Sequence, residues 1–373
     1  MRILLPALLF AGSLMAQYPG LSLPPSGNHQ RAQTGQAIGP IQVSIDYSGP
    51  SVHAPDGTDR RGHIWGELVP YGMEEHGTVT DTSMPWRAGA NENTIFTASG
   101  DVTIEGQPLP AGRYGIHMIP GKEQWTIIFS KNAGAWGSFS YLPAEDTLRV
   151  TVKPHAHPSQ ELLTYEFTSR KPTEAVAELQ WEELAVPFTI QVPNADDLYI
   201  SHLNQELTSV PGFFWQGYQR AARFCLDKNT HLEQGLRWAE DSISQPGVDQ
   251  ANFITLSTKA ELLSKMGRET EATGTIQTAL KLRTTTPLDI YQCGRKLLGD
   301  KKVDEAMTVF QYNASRFGGE WPVDLGLARG YSAKGDLKQA LEHARKAVAQ
   351  APNPQNKQAL EGMVKSLEAG KPI

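Results

Sequence analysis

The sequence predicts a multidomain chain of two unlike parts: an antiparallel β-sandwich over residues 40–192, then α-helical hairpin repeats over residues 193–373. Three observations carry this all-β plus all-α reading. Short runs rich in Val, Ile, Thr and aromatics alternate at period two through the first part, punctuated by Gly and Pro. That alternation stops near residue 193. Ala272, Ala306 and Ala340 then recur 34 residues apart, a spacing of repeated helical hairpins.

The N-terminus reads as a signal peptide over residues 1–16. Arg2 supplies the positive start, Ile3 to Phe10 a short apolar core, and Ala11, Gly12, Ser13 and Ala16 the small residues of a cleavage region. Cleavage after Ala16 is expected, with Ser13 as the alternative. The apolar run is too short to span a bilayer. A soluble periplasmic or secreted protein is the expectation, with no membrane insertion after cleavage. Residues 17–39, rich in Pro, Gly, Gln and Ser, read as a flexible leader.

In the β part, Ile41, Val43, Ile45 and Tyr47 fall at period two. Further strands are expected at 101–105, 113–119, 123–130, 147–153, 162–168, 175–181 and 186–192. Pro110-Ala111-Gly112 and Pro120-Gly121 read as chain reversals, because Pro fixes φ and Gly admits positive φ. The runs 113–119 and 123–130 then form a hairpin. Four segments fall in a specific order: Gly66-Glu67-Leu68-Val69-Pro70-Tyr71-Gly72, Trp86-Arg87-Ala88-Gly89-Ala90-Asn91-Glu92, Leu109-Pro110-Ala111-Gly112-Arg113-Tyr114, and Trp125-Thr126-Ile127-Ile128-Phe129. Together they resemble the secreted bacterial domain-of-unknown-function family 2911 over about residues 40–192. The resemblance implies an extracytoplasmic β-rich domain and no particular reaction. Residues 73–84 read as a loop inserted relative to that pattern.

The helical part opens at Asn194-Ala195-Asp196-Asp197, where either aspartate is placed to cap a helix. Polar turns precede each repeating alanine: Gly267-Arg268-Glu269, Asp300-Lys301-Lys302 and Gly335-Asp336. Ala328 and Tyr331 on one helix, with Ala340, Ala344 and Ala347 on the next, give the clearest unit. The pattern resembles tetratricopeptide-type repeats. Residues 215–226 and 231–243 form an earlier pair, and 355–367 a terminal capping helix.

Composition narrows the function classes. The chain has 373 residues, 20% of them charged, a net charge of −6 and no Lys/Arg run, so nucleic acid is excluded as a partner. No nucleophile elbow, phosphate loop, H-E-x-x-H or C-x-x-C is present, and neither catalytic residues nor a cofactor or metal is assigned. His155 and His157 make an H-x-H pair without a third ligand and read as a loop. Cys225 and Cys293 lie in predicted helices of different repeats, where small buried side chains are common, although an oxidising compartment would permit a disulfide.

The candidate ligand-binding residues are Trp86, Arg87, Asn91, Glu92, His117, Trp136 and Tyr141. A guanidinium, an amide and a carboxylate beside a Trp suit a polar ligand such as a sugar or carboxylate. The structural alternative pairs Arg87 with Glu92 or a loop carbonyl and lets Asn91 close a turn. Trp136 and Tyr141 are the ring pair expected to be accessible to a glycan, whereas Trp125 and Trp181 read as core. His117 reads as a surface or satisfied core histidine. The expectation is an exported, non-enzymatic binding or scaffolding protein of the cell envelope, whose helical repeats take a protein segment or envelope component. The alternative is an extracytoplasmic hydrolase acting on glycan or peptide, with Arg87, Glu92 and His117 near its site.

Overall fold

The computed structural model describes residues 31–74 and 83–373. The expected signal peptide and most of the expected leader lie outside the described residues, as does most of the expected inserted loop. The chain divides into two compact units, ending and beginning at Ala195 and Asp196.

The first unit holds two antiparallel sheets. Its strands are β1 (Arg31–Ile38), β2 (Ile41–Ser48), β3 (Thr94–Ala98), β4 (Val102–Ile104), β5 (Gln107–Leu109), β6 (Gly112–Ile119), β7 (Trp125–Ser130), β8 (Asp146–Val152), β9 (His155–Lys171) and β10 (Glu174–Gln191). One sheet has the order β1-β2-β3-β6-β7-β8, the other β5-β4-β10-β9. Alternate side chains of each face inward: Val43, Ile45 and Phe96 from one sheet, Tyr165, Leu179 and Phe188 from the other. Ring pairs bridge the two layers, with Tyr47 on Tyr165 at 5.0 Å and Phe129 on Phe188 at 6.0 Å. The β6–β7 hairpin forms through Pro120-Gly121 as the turn chemistry predicts.

Three sequence expectations need correction. The flexible leader does not reach residue 39, because residues 31–38 pair along their whole length with β2. β1 is an edge strand, largely solvated, so backbone pairing holds it without an apolar face to announce it. The runs 175–181 and 186–192 are one strand, β10, whose register against β9 shifts around Glu182, a residue at φ 55°. A bulge there resets the alternation and makes one strand read as two. His155 and His157 begin β9 and do not form a loop.

The second unit is ten helices: α1 (Ala195–Glu206), α2 (Trp215–Lys228), α3 (Leu232–Ser244), α4 (Phe253–Lys265), α5 (Glu269–Lys281), α6 (Pro287–Gly299), α7 (Val303–Phe317), α8 (Trp321–Ala333), α9 (Leu337–Ala349) and α10 (Pro354–Glu368). Successive helices from α2 to α9 pack as four hairpins, and α10 packs on α9. Asp196 and Asp197 sit inside the first turn of α1, where carboxylates favour the positive end of the helix dipole. Ala272, Ala306 and Ala340 are all buried, which lets paired helices approach closely. Three apolar clusters form: one spans α1 to α5, a second spans α6 to α10, and a third, smaller one lies among α8, α9 and α10. In the second, Phe310 is fully buried against Gly294, Gly326 and Gly330. Cys225 and Cys293 are free thiols. No helix among the described residues is long and apolar enough to cross a membrane.

The hairpin turns share one backbone device. Gly267, Lys301 and Gly335, 34 residues apart, all have positive φ, at 76°, 62° and 83°. This conformation ends a helix by letting backbone N–H groups cap its last carbonyls, and a side chain strains it. Lys301→Gly should therefore raise stability, by about 1 kcal/mol, measured by urea unfolding. Gly326→Ala should do the reverse. Its Cβ would lie 2.5 Å from the Phe310 ring, and overpacking of this kind costs about 1–3 kcal/mol, read as a lower urea midpoint.

Candidate functional site

Four indoles form the floor of the candidate site. Trp65 meets Trp86, Trp125 and Trp181 edge-on, with ring centroids 5.8, 5.2 and 5.5 Å apart. Trp86 and Trp181 lie nearly parallel, 13° apart at 6.4 Å. Such contacts add to the large apolar area each ring buries. Trp125 and Trp181 are buried core residues, as their strand positions predict. The buried indole N–H groups of Trp65 and Trp181 have no hydrogen-bond acceptor among the described residues.

Segment 86–93 crosses this floor in a fixed conformation. Trp86 exchanges backbone hydrogen bonds with Met118 at the end of β6. Ala88 and Asn91 both take positive φ, at 51° and 59°. The carbonyl of Ala88 accepts from the hydroxyls of Thr94 and Tyr165, each at 2.9 Å. Ala90 donates its N–H to Ser48. A Cβ on Gly89 would lie 2.8 Å from the Thr94 hydroxyl, so the backbone approaches too closely for any side chain.

The cleft above has a volume of about 280 Å³, and Trp86, Arg87, Asn91, Ser138 and Trp181 are among its walls. Arg87 is half-buried. One guanidinium nitrogen donates to the Asn91 carbonyl at 3.3 Å, and the group lies 4.6 Å above the Phe139 ring. Burial lowers its pKa from the ordinary value, and the field of Glu74 opposes that shift. Glu92 does not pair with it. Its carboxylate accepts from Ser48 and lies 3.9 Å from Arg31.

His117 stands behind the cleft wall. Its Nδ1 is 2.8 Å from the Ser138 hydroxyl, and its ring packs against Tyr141. Burial, helped by the positive field of Arg87, pushes its pKa down to about 4. The imidazole is therefore neutral near pH 7 and can accept the serine proton as a hydrogen bond. Among the described residues no carboxylate hydrogen-bonds this ring, so the third group that orients the histidine of a catalytic triad has no counterpart.

The seven sequence candidates thus divide. Trp86, Arg87 and Asn91 line the first cleft, with His117 held behind it through Ser138. Glu92 and Trp136 line a second cleft of about 320 Å³, together with Arg31, Asn93 and Arg113. Tyr141 does not share an accessible ring pair with Trp136. It is buried, its hydroxyl donates to Asp146 and accepts from Arg149, and burial raises its pKa. Trp136 is exposed. Sequence reasoning missed Ser138 and Arg60 in the first cleft and Arg31 in the second; their neighbours come from distant segments and leave no local motif. No group of three or more metal-ligating side chains occurs among the described residues.

The low pKa of His117 has a signed consequence. The unfolded chain, near 6.5, takes up this proton before the folded one, near 4, so stability is lost as pH falls through that window. The stability advantage of the native chain over His117→Asn should shrink with a slope approaching about 1.4 kcal/mol per pH unit there, measured by chemical unfolding at a series of pH values.

No curated protein matches the chain. Among solved structures, the helical hairpins are similar to YrrB, titled a TPR protein with an unusual peptide-binding site, at 18% identity and a TM-score of 0.29, covering 45% of this chain and 89% of that one. They are also similar to MamA from Desulfovibrio magneticus RS-1, at 20% identity and a TM-score of 0.28, covering 42% and 90%. Residues 29–190, which carry both clefts, match the model of the family described as Protein of unknown function (DUF2911).

Proposed function

We propose that the protein is an exported, non-enzymatic binding or scaffolding protein whose helical unit takes a segment of a protein partner of the cell envelope. A row of exposed apolar side chains carries the reading. Phe214 immediately precedes α2, Ile254 is the second residue of α4, and Leu288 is the second residue of α6, and all three are exposed. Ile254 and Leu288 therefore hold the same place in the first helices of successive hairpins, and Phe214 lies just ahead of the first helix of the hairpin before them. Stacked repeats bring equivalent positions into line along one face. Exposed apolar groups in line, unlike scattered ones, mark an interaction surface.

The same three helices are joined farther along by charge. Arg223 on α2 and Lys296 on α6 both reach one carboxylate oxygen of Glu261 on α4, at 3.1 and 2.6 Å. A bound segment would meet apolar contacts at one edge and a basic, ion-paired rung roughly two turns away. The export half of the proposal rests on the N-terminal sequence alone.

Full-length Ile254→Asp/Leu288→Asp should keep its helical circular dichroism and lose at least about tenfold in affinity for partners crosslinked to the native chain. Unchanged capture by this variant would remove the apolar row from the argument. Mass spectrometry of the protein recovered from the producing cells checks export: a mature N-terminus near residue 14 or 17 is expected, and an intact Met1 outside the envelope fraction would oppose it.

A further inference from the structure

We infer that the cleft over the indole floor is a binding site for a small organic monocarboxylate, an acid with an apolar body and one negative head. The inference is independent of the helical surface proposed above, so the failure of either leaves the other standing.

Charge argues for an anion. Among the described residues lining the cleft, two are cationic, Arg60 and Arg87, and one is anionic, Glu74. Neither arginine has a carboxylate within ion-pair distance among the described residues, and Glu74 acts on Arg87 only through space. One further negative charge would balance these described side chains. Arg87 also has spare donors. Its guanidinium makes one hydrogen bond to a carbonyl, at 3.3 Å, and otherwise rests on an aromatic ring. A planar fork with unused N–H groups, withdrawn from water, is the arrangement that pairs two-pronged with a carboxylate.

The walls argue for an organic body. Leu68, Val69, Met84 and Trp86 line the cleft beside the two arginines. Trp181, whose buried indole N–H is unpaired among the described residues, belongs to the same lining. A volume of about 280 Å³ is roughly nine waters at about 30 Å³ each, enough for a single-ring or short aliphatic acid. The positive field reaches beyond the wall, since Arg87 disfavours the charged form of His117. His117 in turn stays neutral and fixes Ser138 without adding charge to the site.

The test is a titration of the full chain with benzoate, followed by calorimetry and by tryptophan emission, to which the indoles beneath the cleft contribute four of the chain's eight. Benzamide serves as the neutral isostere and inorganic phosphate as an anion without an apolar body. Benzoate should bind saturably and at least about tenfold tighter than benzamide. Arg87→Gln should abolish that preference, and Arg170→Gln, an exposed position on β9, should leave it intact. Near-UV circular dichroism checks that Arg87→Gln keeps its packed indoles. If it does not, the benzoate-to-benzamide ratio of the native chain still decides. Equal affinities, or no saturable benzoate binding, would overturn the charge argument. Phosphate binding as tight as benzoate would overturn the organic-acid assignment.

Discussion

The conformation of segment 86–93 is the constraint on which the β unit's two clefts depend. Its positive-φ residues, Ala88 and Asn91, are unfavourable for side-chain-bearing residues unless the surroundings over-determine them. The surroundings do so. Thr94 and Tyr165 both donate to the Ala88 carbonyl, Ser48 accepts from Ala90, and Gly89 packs against the Thr94 hydroxyl. Tyr165 comes from one sheet and Thr94 and Ser48 from the other, so the loop is pinned by both layers of the sandwich at once. The indole quartet completes the support, with Trp125 and Trp181 again drawn from opposite sheets. A site held from both sheets is preorganised: little side-chain or loop entropy remains to be lost when a ligand enters.

The helical unit meets a different constraint with a different device. A hairpin repeat cannot bury its apolar face alone and needs a neighbour at a fixed distance. Small residues set that distance. Ala306 and Ala340 are fully buried, and Phe310 fills the space left open by three glycines on α6 and α8. The apolar clusters separate between α5 and α6, and polar contacts span the gap. Arg316 on α7 donates to the carbonyls of Leu280 and Leu282 at the end of α5, and Lys296 reaches Glu261. Carbonyls left open at a helix end are thereby satisfied by the next repeat. Ion pairs through Glu261 link the first helices of three hairpins across this polar seam.

Much of this architecture was legible because period and turn chemistry are local. The 34-residue alanine spacing, the hairpin at Pro120-Gly121 and the buried Trp125 and Trp181 follow from residues that announce themselves. Features set by distant contacts were not. β1 carries too little apolar patterning to be seen, because an edge strand is held by its backbone. The bulge at Glu182 hid the length of β10. Lys301 occupies a position where its two counterparts are glycine, so the repeat is regular in backbone and irregular in sequence. The Trp86–Glu92 segment sets several candidate residues side by side in sequence, but their division between two clefts depends on backbone direction at Ala88 and Asn91, which residue identity does not specify. Tyr141 illustrates the same limit. Its loop contains small and polar residues, yet Asp146 and Arg149 on β8 draw its hydroxyl inward.

The division between clefts has a physical consequence for what each can hold. Asn91 and Glu92 are adjacent, yet they face separate surfaces. Had both side chains shared the first cleft, the Glu92 carboxylate would have neutralised Arg87, and the guanidinium would have become a structural ion pair. Instead Glu92 lies near Arg31 and accepts from Ser48, while Arg87 keeps its charge in a half-buried position with a carbonyl and a ring as partners. Positive φ at Asn91 is the local feature that accompanies this separation. The strain stored there and at Ala88 is thus coupled to the electrostatics of the site: relaxing the backbone to an ordinary conformation would redirect the side chains that follow and change the charge balance of both clefts together.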